Sequence, residues 1–306
     1  MNRNLSLEQR IHNAEACQTV EEYKARHAYL HGAGYSREEW DLMWLDSPNT
    51  TWAHQFGRMV GFEEVYWNSV YHMDKQVVTD KLAMMENYPE LQGHDLRSVC
   101  AGGCHALASD VIEVADDGMS ARGSWYTPGV IFSTLNPDQK KEGMSARASY
   151  LTPGTLMGPI GMDGKSRGGI WLWERYGSEF AYVDGKWQWF HEQVCPDIAG
   201  DYDKGNWAHD RYLDYLQRDL NIGELGGRPA MLTEPGLFHA DYSIVQPVQD
   251  TVHPPVPYAT LDDENTYSPG RTDPTGAVTV PSGPATRMGE YDPDENPFSG
   301  LKVHED

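Results

Sequence analysis

Residues 105–122 read HALASDVIEVADDGMSAR, and the expected fold follows from this stretch and its surroundings. Val111 to Val114 is a short run made mostly of β-branched residues, which is typical of a strand. After Asp117-Gly118, the segment from Ala121 to Ile131 is again rich in aromatic and β-branched residues. The stretch therefore predicts two strands that follow each other closely in the chain.

Two further segments with strand composition lie C-terminal to this pair, Ile170 to Tyr182 and Trp187 to Val194. The turn Val183-Asp184-Gly185-Lys186 between them is the strongest hairpin signal in the sequence, because Asp-Gly favours the tight turns that join antiparallel strands. This part of the chain is thus predicted to form an antiparallel sheet.

Helical patterns dominate the N-terminal part of the chain. From Ser6 to about His31, apolar and aromatic residues recur at three- and four-residue steps, as in an amphipathic helix. Ser36 and Glu39 have the spacing of a capping box, which predicts a second helix that continues through Leu45. Helices therefore occupy the start of the chain.

The segment between the helices and residue 105 is mixed. Thr50 to Met59 is predicted as a strand, and Phe62 to about Met73 as a helix. Since helices come first and antiparallel strands later, the pattern indicates an α+β domain and not alternating βαβ units.

One motif occurs twice. Gly118-Met119-Ser120-Ala121-Arg122 is followed by Thr127-Pro128-Gly129, and the same order returns in residues 143–147 and 152–154. Two copies are too few for a solenoid, which needs about three or more repeats to bury a core. The copies are predicted to be two similar strands of one sheet.

Charge and composition exclude several classes of partner. The formal net charge is −22, which disfavours nucleic acid and anionic membranes, because both attract Lys and Arg. No run approaches the roughly 20 apolar residues of a membrane span. Four cysteines and no apolar leader segment make a reducing cytoplasm the expected compartment.

The C-terminal third differs from the rest. The ten tryptophans lie between Trp40 and Trp207, whereas most of the 19 prolines follow Arg228. We therefore expect a domain over residues 1–215, with insertions near 72–95 and 133–168, and an acidic, Pro-rich extended tail over 216–306. The tail is expected to be disordered, to lie along the domain, or to clasp a second subunit.

Three short motifs resemble the SnoaL-like, or nuclear transport factor 2-like, family. They are the histidine, V-I-E-V strand and D-G turn of residues 105–118, Arg26-His27-Ala28-Tyr29 on the first helix, and Asp184-Gly185-Lys186-Trp187 before the last strand. Their order and spacing also agree with the family. The resemblance covers roughly residues 8–198.

The resemblance implies a cone-shaped, curved antiparallel sheet packed on N-terminal helices, with a deep apolar pocket, and a homodimer or homotrimer. The family includes dehydratases, isomerases, polyketide cyclases, a cofactor-free formaldehyde lyase acting on lignin-derived compounds, and binding modules without chemistry. Since one fold hosts several functions, the function must be argued from the site.

Histidine and tyrosine side chains are the candidates for acid–base chemistry. The resemblance places His105 at the family's proton-moving histidine, and an imidazole can serve as base or acid near neutral pH. On the first helix, Tyr23, His27 and His31 recur at four-residue steps, with Tyr29 displaced round the helix. The family's helical Asp is missing here, so these histidines and tyrosines are alternatives for its role, or ordinary packing residues.

A metal is the less favoured alternative. His27-x-x-x-His31 has the helical spacing of two metal ligands, and His105 or a carboxylate would be the third. The sequence lacks the Glu of an H-E-x-x-H motif. We therefore expect no metal and no cofactor.

Aromatic residues are numerous enough to line a pocket as well as a core. Trp187, Trp189 and His191 share one face of the last strand by period-two alternation. A pocket of this kind suits a flat aromatic ligand with a few hydroxyls. The candidate substrate-binding residues are Tyr23, Trp52, His54, Trp125, Tyr126, Trp173, Trp187, Trp189 and His191, with Glu174 and Arg175 in reserve.

These observations predict a cofactor-independent lyase that dehydrates or deformylates an aromatic, diaryl or polycyclic hydroxylated compound, such as one derived from lignin. An isomerase or cyclase would use the same groups. A non-catalytic ligand-binding or assembly module and a metal-dependent hydrolase or oxygenase are the alternatives from other classes.

Overall fold

The computed structural model describes residues 5–33, 36–54, 57–66, 92–93, 102–132, 169–201 and 252–276. Nearly all of the two predicted insertions, the second copy of the repeated motif and most of the tail lie outside these ranges. The described elements are, in chain order, α1 Leu7–Ala33, α2 Ser36–Met43, β1 Thr51–His54, β2 Gly57–Val60, α3 Phe62–Tyr66, β3 Gly102–His105, β4 Ala108–Val114, β5 Ser120–Phe132, β6 Gly169–Val183 and β7 Lys186–Asp201.

Helix α1 begins with a reciprocal cap. The hydroxyl of Ser6 accepts the backbone N–H of Gln9, and the Gln9 side chain accepts the N–H of Ser6, so two N–H groups that lack helical partners are satisfied. The helix buries one stripe, at Ala16, Val20, Lys24 and His27, with steps of four and three residues. A lysine and a histidine thus occupy core positions.

The sheet contains seven strands in the order β2-β1-β7-β6-β5-β3, and β4 also pairs with β5. The hairpin predicted between β6 and β7 is confirmed, with Asp184 and Gly185 at φ angles of 52° and 81°, as a two-residue primed turn requires. The four strands predicted around it are confirmed as well. The α+β class and the curved sheet packed on N-terminal helices are therefore confirmed.

Two details of the sheet differ from the prediction. The segment predicted as one strand from Thr50 to Met59 is a hairpin of β1 and β2, in which Thr51 pairs with Val60. Strand β1 then joins β7 in parallel, at Thr51 and His191. The sheet is therefore mixed. Only a tight turn forces two neighbouring strands to run antiparallel, and β1 and β7 are joined by a long stretch of chain that includes α3.

The sheet has two covered faces. Tyr176, Phe180 and Trp189 lie on the face that packs against α1, here called the helix face. On the opposite face, Phe190 packs with Leu45, Ala181 and Leu261. No helix among the described residues is long and apolar enough to cross a membrane.

A β-bulge in β7 changes which side chains reach each face. Glu179 of β6 pairs with His191, whereas Phe180 pairs with Trp189, so Phe190 is the extra residue. A bulge interrupts the period-two alternation of a strand. For this reason, Trp189 and Glu192 both reach the helix face, and His191 reaches the opposite face.

Residues 252–276, here called the strap, cover that opposite face. Their backbone and side chains bond to the sheet: Tyr267 N–H and the Thr266 hydroxyl both donate to the Glu179 carboxylate at 2.7 Å. Tyr258 and Ser120 share a hydroxyl hydrogen bond of 3.0 Å. This part of the tail therefore lies along the domain, which is one of the arrangements expected for it, and the boundary at residues 215/216 stays a prediction.

A directed chain of hydrogen bonds fixes the strap at His191. Arg58 donates to the hydroxyl of Ser268 (2.8 Å), and the hydroxyls of Ser268 and Thr51 lie 2.8 Å apart. Nδ1 of His191 lies 2.8 Å from the Thr51 hydroxyl, and Nε2 lies 3.0 Å from the carbonyl of Arg271. Since that carbonyl can only accept, Nε2 carries the proton and Nδ1 accepts from Thr51.

Acid is expected to loosen the strap. Burial lowers the pKa of His191 well below its usual range, and the nearby Arg58 and Arg271 cations add to the effect. Protonation would put a second N–H where Nδ1 must accept. Because the folded-state pKa is the lower one, this contribution to stability is complete above about pH 6.5 and declines below it, by at most about 1.4 kcal/mol per pH unit.

The measurement is the free energy of unfolding in urea at pH 7.5 and at pH 5.5, for the wild type and for His191→Gln. The decrease on acidification should be smaller in His191→Gln, because the titrating group is gone. Buried groups on the helix face, such as His27, titrate equally in both proteins and cancel in the comparison. Equal decreases would remove His191 from this role.

Candidate functional site

A recess opens on the helix face between α1, α2 and the sheet. Its enclosed volume is about 20 Å³, and the space with the open solvent at its mouth included is about 380 Å³. Aromatic rings form most of its wall, and two histidines and two carboxylates are the polar groups within it. The lining residues are His27, His31, Glu39, Trp40, Trp44, Trp52, Tyr176, Trp189, Glu192 and Val194.

A buried histidine–carboxylate pair lies in this recess. Nδ1 of His27 on α1 lies 2.9 Å from Oε1 of Glu39 on α2, and the indole N–H of Trp44 donates to the same oxygen at 3.2 Å. A carboxylate that accepts the Nδ1 proton fixes the tautomer of an imidazole and leaves Nε2 able to accept a proton. The pair thus has the composition of a general base with its orienting group.

Burial dominates the protonation of this pair. It lowers the pKa of His27 well below its usual range, and the neighbouring Lys24 cation lowers it further. Burial also raises the pKa of Glu39, against the attraction of His31 and Lys24. Burial thus keeps His27 neutral at pH 7 and available as a proton acceptor.

Lys24 and Glu192 form a second buried pair beside the first. Lys24 Nζ lies 3.0 Å from Glu192 Oε1, with side-chain exposures of 1 and 3%, and the Ser178 hydroxyl donates to the other carboxylate oxygen. Burial raises the pKa of Glu192 to about 7, although Lys24 opposes the shift. The ion pair keeps most of the positive charge of Lys24 compensated within the helix face.

Three tryptophans stack under the recess. The rings of Trp44 and Trp189 lie 4.6 Å apart and nearly parallel, and Trp40 stacks on Trp44 at 4.9 Å. Lys24 Nζ lies 4.3 Å from the centroid of the Trp189 ring, which is a favourable cation–π geometry. These rings fix the positions of the polar groups, and they belong to the hydrophobic core as well as to the wall of the recess.

Four of the residues predicted for the site line the recess, namely His27, His31, Trp52 and Trp189. The two histidine rings stack at 4.9 Å, as the four-residue step on a helix allows. The site therefore draws on the predicted face of α1.

His105 lies elsewhere on the sheet. It ends β3, where it pairs with Gly129, and its Nδ1 is 3.4 Å from Oε2 of Glu174. Glu174 precedes Tyr176 by two residues on β6 and shares its face, so His105 and Glu174 adjoin the recess without lining it. The convergence expected between His105 and the α1 histidines is not present among the described residues, and its catalytic role stays a prediction.

Other predicted residues on the helix side do not line the recess. Tyr29 is 81% exposed, because it follows His27 by two residues and turns to the far side of the helix. Tyr23 packs against Phe180 and donates its hydroxyl to the carbonyl of Trp187 at 3.1 Å. Trp125 is buried, 5.1 Å below Lys24 Nζ, and Trp187 packs on His12 and Tyr182.

The remaining predictions fall on the opposite face or outside the description. Tyr126 and Trp173 are 49 and 45% exposed, because they alternate away from Tyr176 in β5 and β6. His191 is turned to the strap by the bulge and does not contact the recess. His54 belongs to β1, and its side chain lies outside the described residues.

The prediction missed Glu39, Trp40, Trp44, Tyr176 and Glu192. The signal for the first three was present, because positions 39, 40, 43 and 44 form one stripe on a helix. Glu39 was assigned to a helix cap, but its carboxylate bonds to His27 and Trp44 instead. No sequence pattern indicated Glu192, since regular period-two alternation places it on the face opposite to Trp189.

The chain matches no protein-family model and no curated protein. It is similar to a putative scytalone dehydratase from Novosphingobium aromaticivorans (12% identity, 62% of this chain and 90% of that chain, TM-score 0.37). It is also similar to an NTF2-like protein with a cystatin-like fold from the same organism (14%, 71% and 99%, TM-score 0.36). A third is a hexachlorocyclohexane dehydrochlorinase, LinA-type3, from Novosphingobium barchaimii (12%, 62% and 92%, TM-score 0.36).

One of these proteins is described as NTF2-like, the family that the sequence motifs resemble. At these identities and TM-scores the similarities carry no argument about activity or substrate. The architecture is defined by the chain's own strand order and pairing.

Proposed function

We propose that the protein is a cofactor-independent acid–base lyase, with His27 as the base and Glu39 as the group that orients it. The observation that carries this proposal is the 2.9 Å contact between His27 Nδ1 and Glu39 Oε1 within a recess walled by aromatic rings. An oriented neutral imidazole in a water-poor site is suited to proton abstraction. His31, which stacks on His27, is the second imidazole beside the reacting group.

The substrate is an aromatic, diaryl or polycyclic hydroxylated small molecule, such as a lignin-derived compound. The Trp and Tyr rings favour a flat, apolar body that lies in the open mouth of the recess, because the enclosed volume of about 20 Å³ admits only the reacting group. The histidines and carboxylates favour hydroxyl or carbonyl groups there. His27 removes a proton from carbon, the electron pair forms a double bond, and the leaving hydroxide takes up a proton to become water. In a deformylation, His27 removes the hydroxyl proton, a carbon–carbon bond breaks, formaldehyde leaves, and the resulting carbanion is protonated.

Isomerisation or cyclisation by the same pair is the alternative within acid–base chemistry, since the outcome depends on where the leaving group of the substrate lies. A binding module is the alternative from another class. A compound that binds in the recess and is recovered unchanged would favour the binding module over the enzyme.

The direct test is a screen of hydroxylated diaryl and polycyclic compounds, with formaldehyde release and loss of water as readouts. For any compound turned over, His27→Ala and Glu39→Gln should lower kcat/KM by about 100-fold or more, as loss of a positioned base does. The matched control is His253→Ala, which alters an exposed histidine of the strap.

His105→Ala belongs in the same series. A loss of about 100-fold or more in His105→Ala, with wild-type activity in His27→Ala, would move the reacting group to His105 and contradict the proposal. The expected homodimer or homotrimer stays a prediction, which light scattering of the purified protein would test.

A further inference from the structure

Two histidines and a carboxylate meet in the recess with the spacing of metal ligands. His27 and His31 are one helical turn apart on α1, and Glu39 approaches them from α2. The nitrogen and oxygen atoms that the three side chains offer lie within 4.8 Å of one another. The carboxylate here fills the place of a third ligand beside the H-x-x-x-H pair.

A second observation points to an occupant of this cluster. Oε2 of Glu39 is buried and has no hydrogen-bond partner among the described residues, whereas Oε1 binds both His27 and Trp44. A buried oxygen without a partner destabilises the folded protein. A cation at this position would satisfy the oxygen.

The donor set selects the kind of ion. Two imidazoles and one carboxylate, with an open side for a fourth ligand, match a zinc site that keeps one exchangeable position. Calcium and magnesium prefer six or more oxygen ligands, which the cluster does not offer. Ligand atoms about 2.0–2.2 Å from a tetrahedral zinc ion are roughly 3.4 Å apart, so separations of up to 4.8 Å must close by at most about 1.4 Å.

The charges around the cluster do not oppose a cation strongly. Lys24 is the nearest positive group, and Glu192 compensates it at 3.0 Å. Glu39 supplies a negative charge, and Glu192 also lines the recess. The site thus offers two carboxylates against one ammonium.

We propose that His27, His31 and Glu39 bind one Zn²⁺ and that the bound ion inhibits the acid–base pair. The ion replaces the proton held between His27 Nδ1 and Glu39, and the proton moves to Nε2, so that the imidazole stays neutral. With Nδ1 on the metal and Nε2 protonated, His27 no longer removes a proton from substrate. The inhibitory part rests on the proposed function, whereas the binding part stands without it.

The binding test uses the full chain, freed of metal by a chelator, and titrated with ZnCl₂ in a calorimeter. We expect one Zn²⁺ per chain and no binding of Mg²⁺. If His31 and Glu39 are ligands, His31→Ala and Glu39→Gln should each weaken Zn²⁺ affinity by about tenfold or more. If the ion binds elsewhere, both variants should have the Zn²⁺ affinity of the wild type. His253→Ala, the control, should bind Zn²⁺ as the wild type does.

Binding that is absent, or that both ligand variants leave unchanged, overturns the site. Once a substrate is known from the screen, saturating Zn²⁺ should suppress its turnover, and a chelator should restore that turnover. Turnover that rises with Zn²⁺ overturns the inhibitory role. A metal-free protein that binds Zn²⁺ through these ligands but turns over no compound leaves the site in place and counts against the proposed function alone.

Discussion

Replacing Lys24 with methionine is expected to lower the free energy of unfolding by about 3–5 kcal/mol, the usual cost of removing one partner of a buried ion pair. Methionine keeps most of the volume of lysine, so the effect reports on charge and not on a cavity. Glu192 would then be buried with only the Ser178 hydroxyl to stabilise it. Urea denaturation followed by circular dichroism above pH 7, where Glu192 is ionised, gives the measurement.

The helix provides its own control. Arg26 and Glu22 form an ion pair on the same helix, with side-chain exposures of 52 and 53%, and exposed pairs contribute about 0–1 kcal/mol. Arg26→Met should therefore cost much less than Lys24→Met. Equal losses in the two variants would show that burial of the Lys24 pair has no energetic consequence.

A double variant separates pairing from desolvation. Lys24→Met combined with Glu192→Leu removes both charges, and replacement of a whole buried pair by apolar residues is often neutral. The double variant is expected to be more stable than Lys24→Met alone. Such a result would indicate that the pair is retained for the chemistry of the recess and not for stability.

Replacing Trp189 with alanine is expected to cost a further large amount, about 3–5 kcal/mol. Its ring is fully buried, stacks on Trp44 and contacts Phe180 and His27, and its indole N–H donates to the carbonyl of His191 at 3.0 Å. The variant therefore leaves a cavity and removes a hydrogen bond from the carbonyl of His191. Thermal and urea unfolding would measure the loss.

Trp173→Ala is the matched control, because Trp173 is 45% exposed on the neighbouring strand. It should cost less than about 1 kcal/mol, as surface substitutions usually do. If Trp189→Ala does not fold, Trp189→Phe keeps part of the stack and should be measurably less stable than the wild type. A Trp189→Phe protein as stable as the wild type would contradict the role assigned to the stack.

The sequence pattern was sufficient for strands β4 to β7 and for α1. The hairpin at Asp184-Gly185 needs positive φ at two adjacent positions, which few residue pairs tolerate, so its location is encoded locally. The stripe on α1 is likewise a local signal, since three- and four-residue steps define one helical face. His27 and His31 entered the site prediction for this reason.

Local sequence patterns did not identify the residues that His27 and His31 contact. Glu39 is twelve positions after His27, and only the packing of α2 against α1 brings its carboxylate to the imidazole. The spacing from Ser36 to Glu39 indicated a cap, but a buried carboxylate gains more from two charge-assisted or indole donors than from an exposed backbone N–H. Tertiary packing therefore overrode the local interpretation.

The sequence by itself determined the α+β class, the hairpin and the histidine-bearing face of α1, because these depend on residues a few positions apart. Only the tertiary structure decided that His191 faces the strap and Glu192 faces the recess, since one extra residue in β7 inverts the alternation. It also decided that residues 252–276 cover the sheet, because their hydrogen bonds are made to residues distant in sequence.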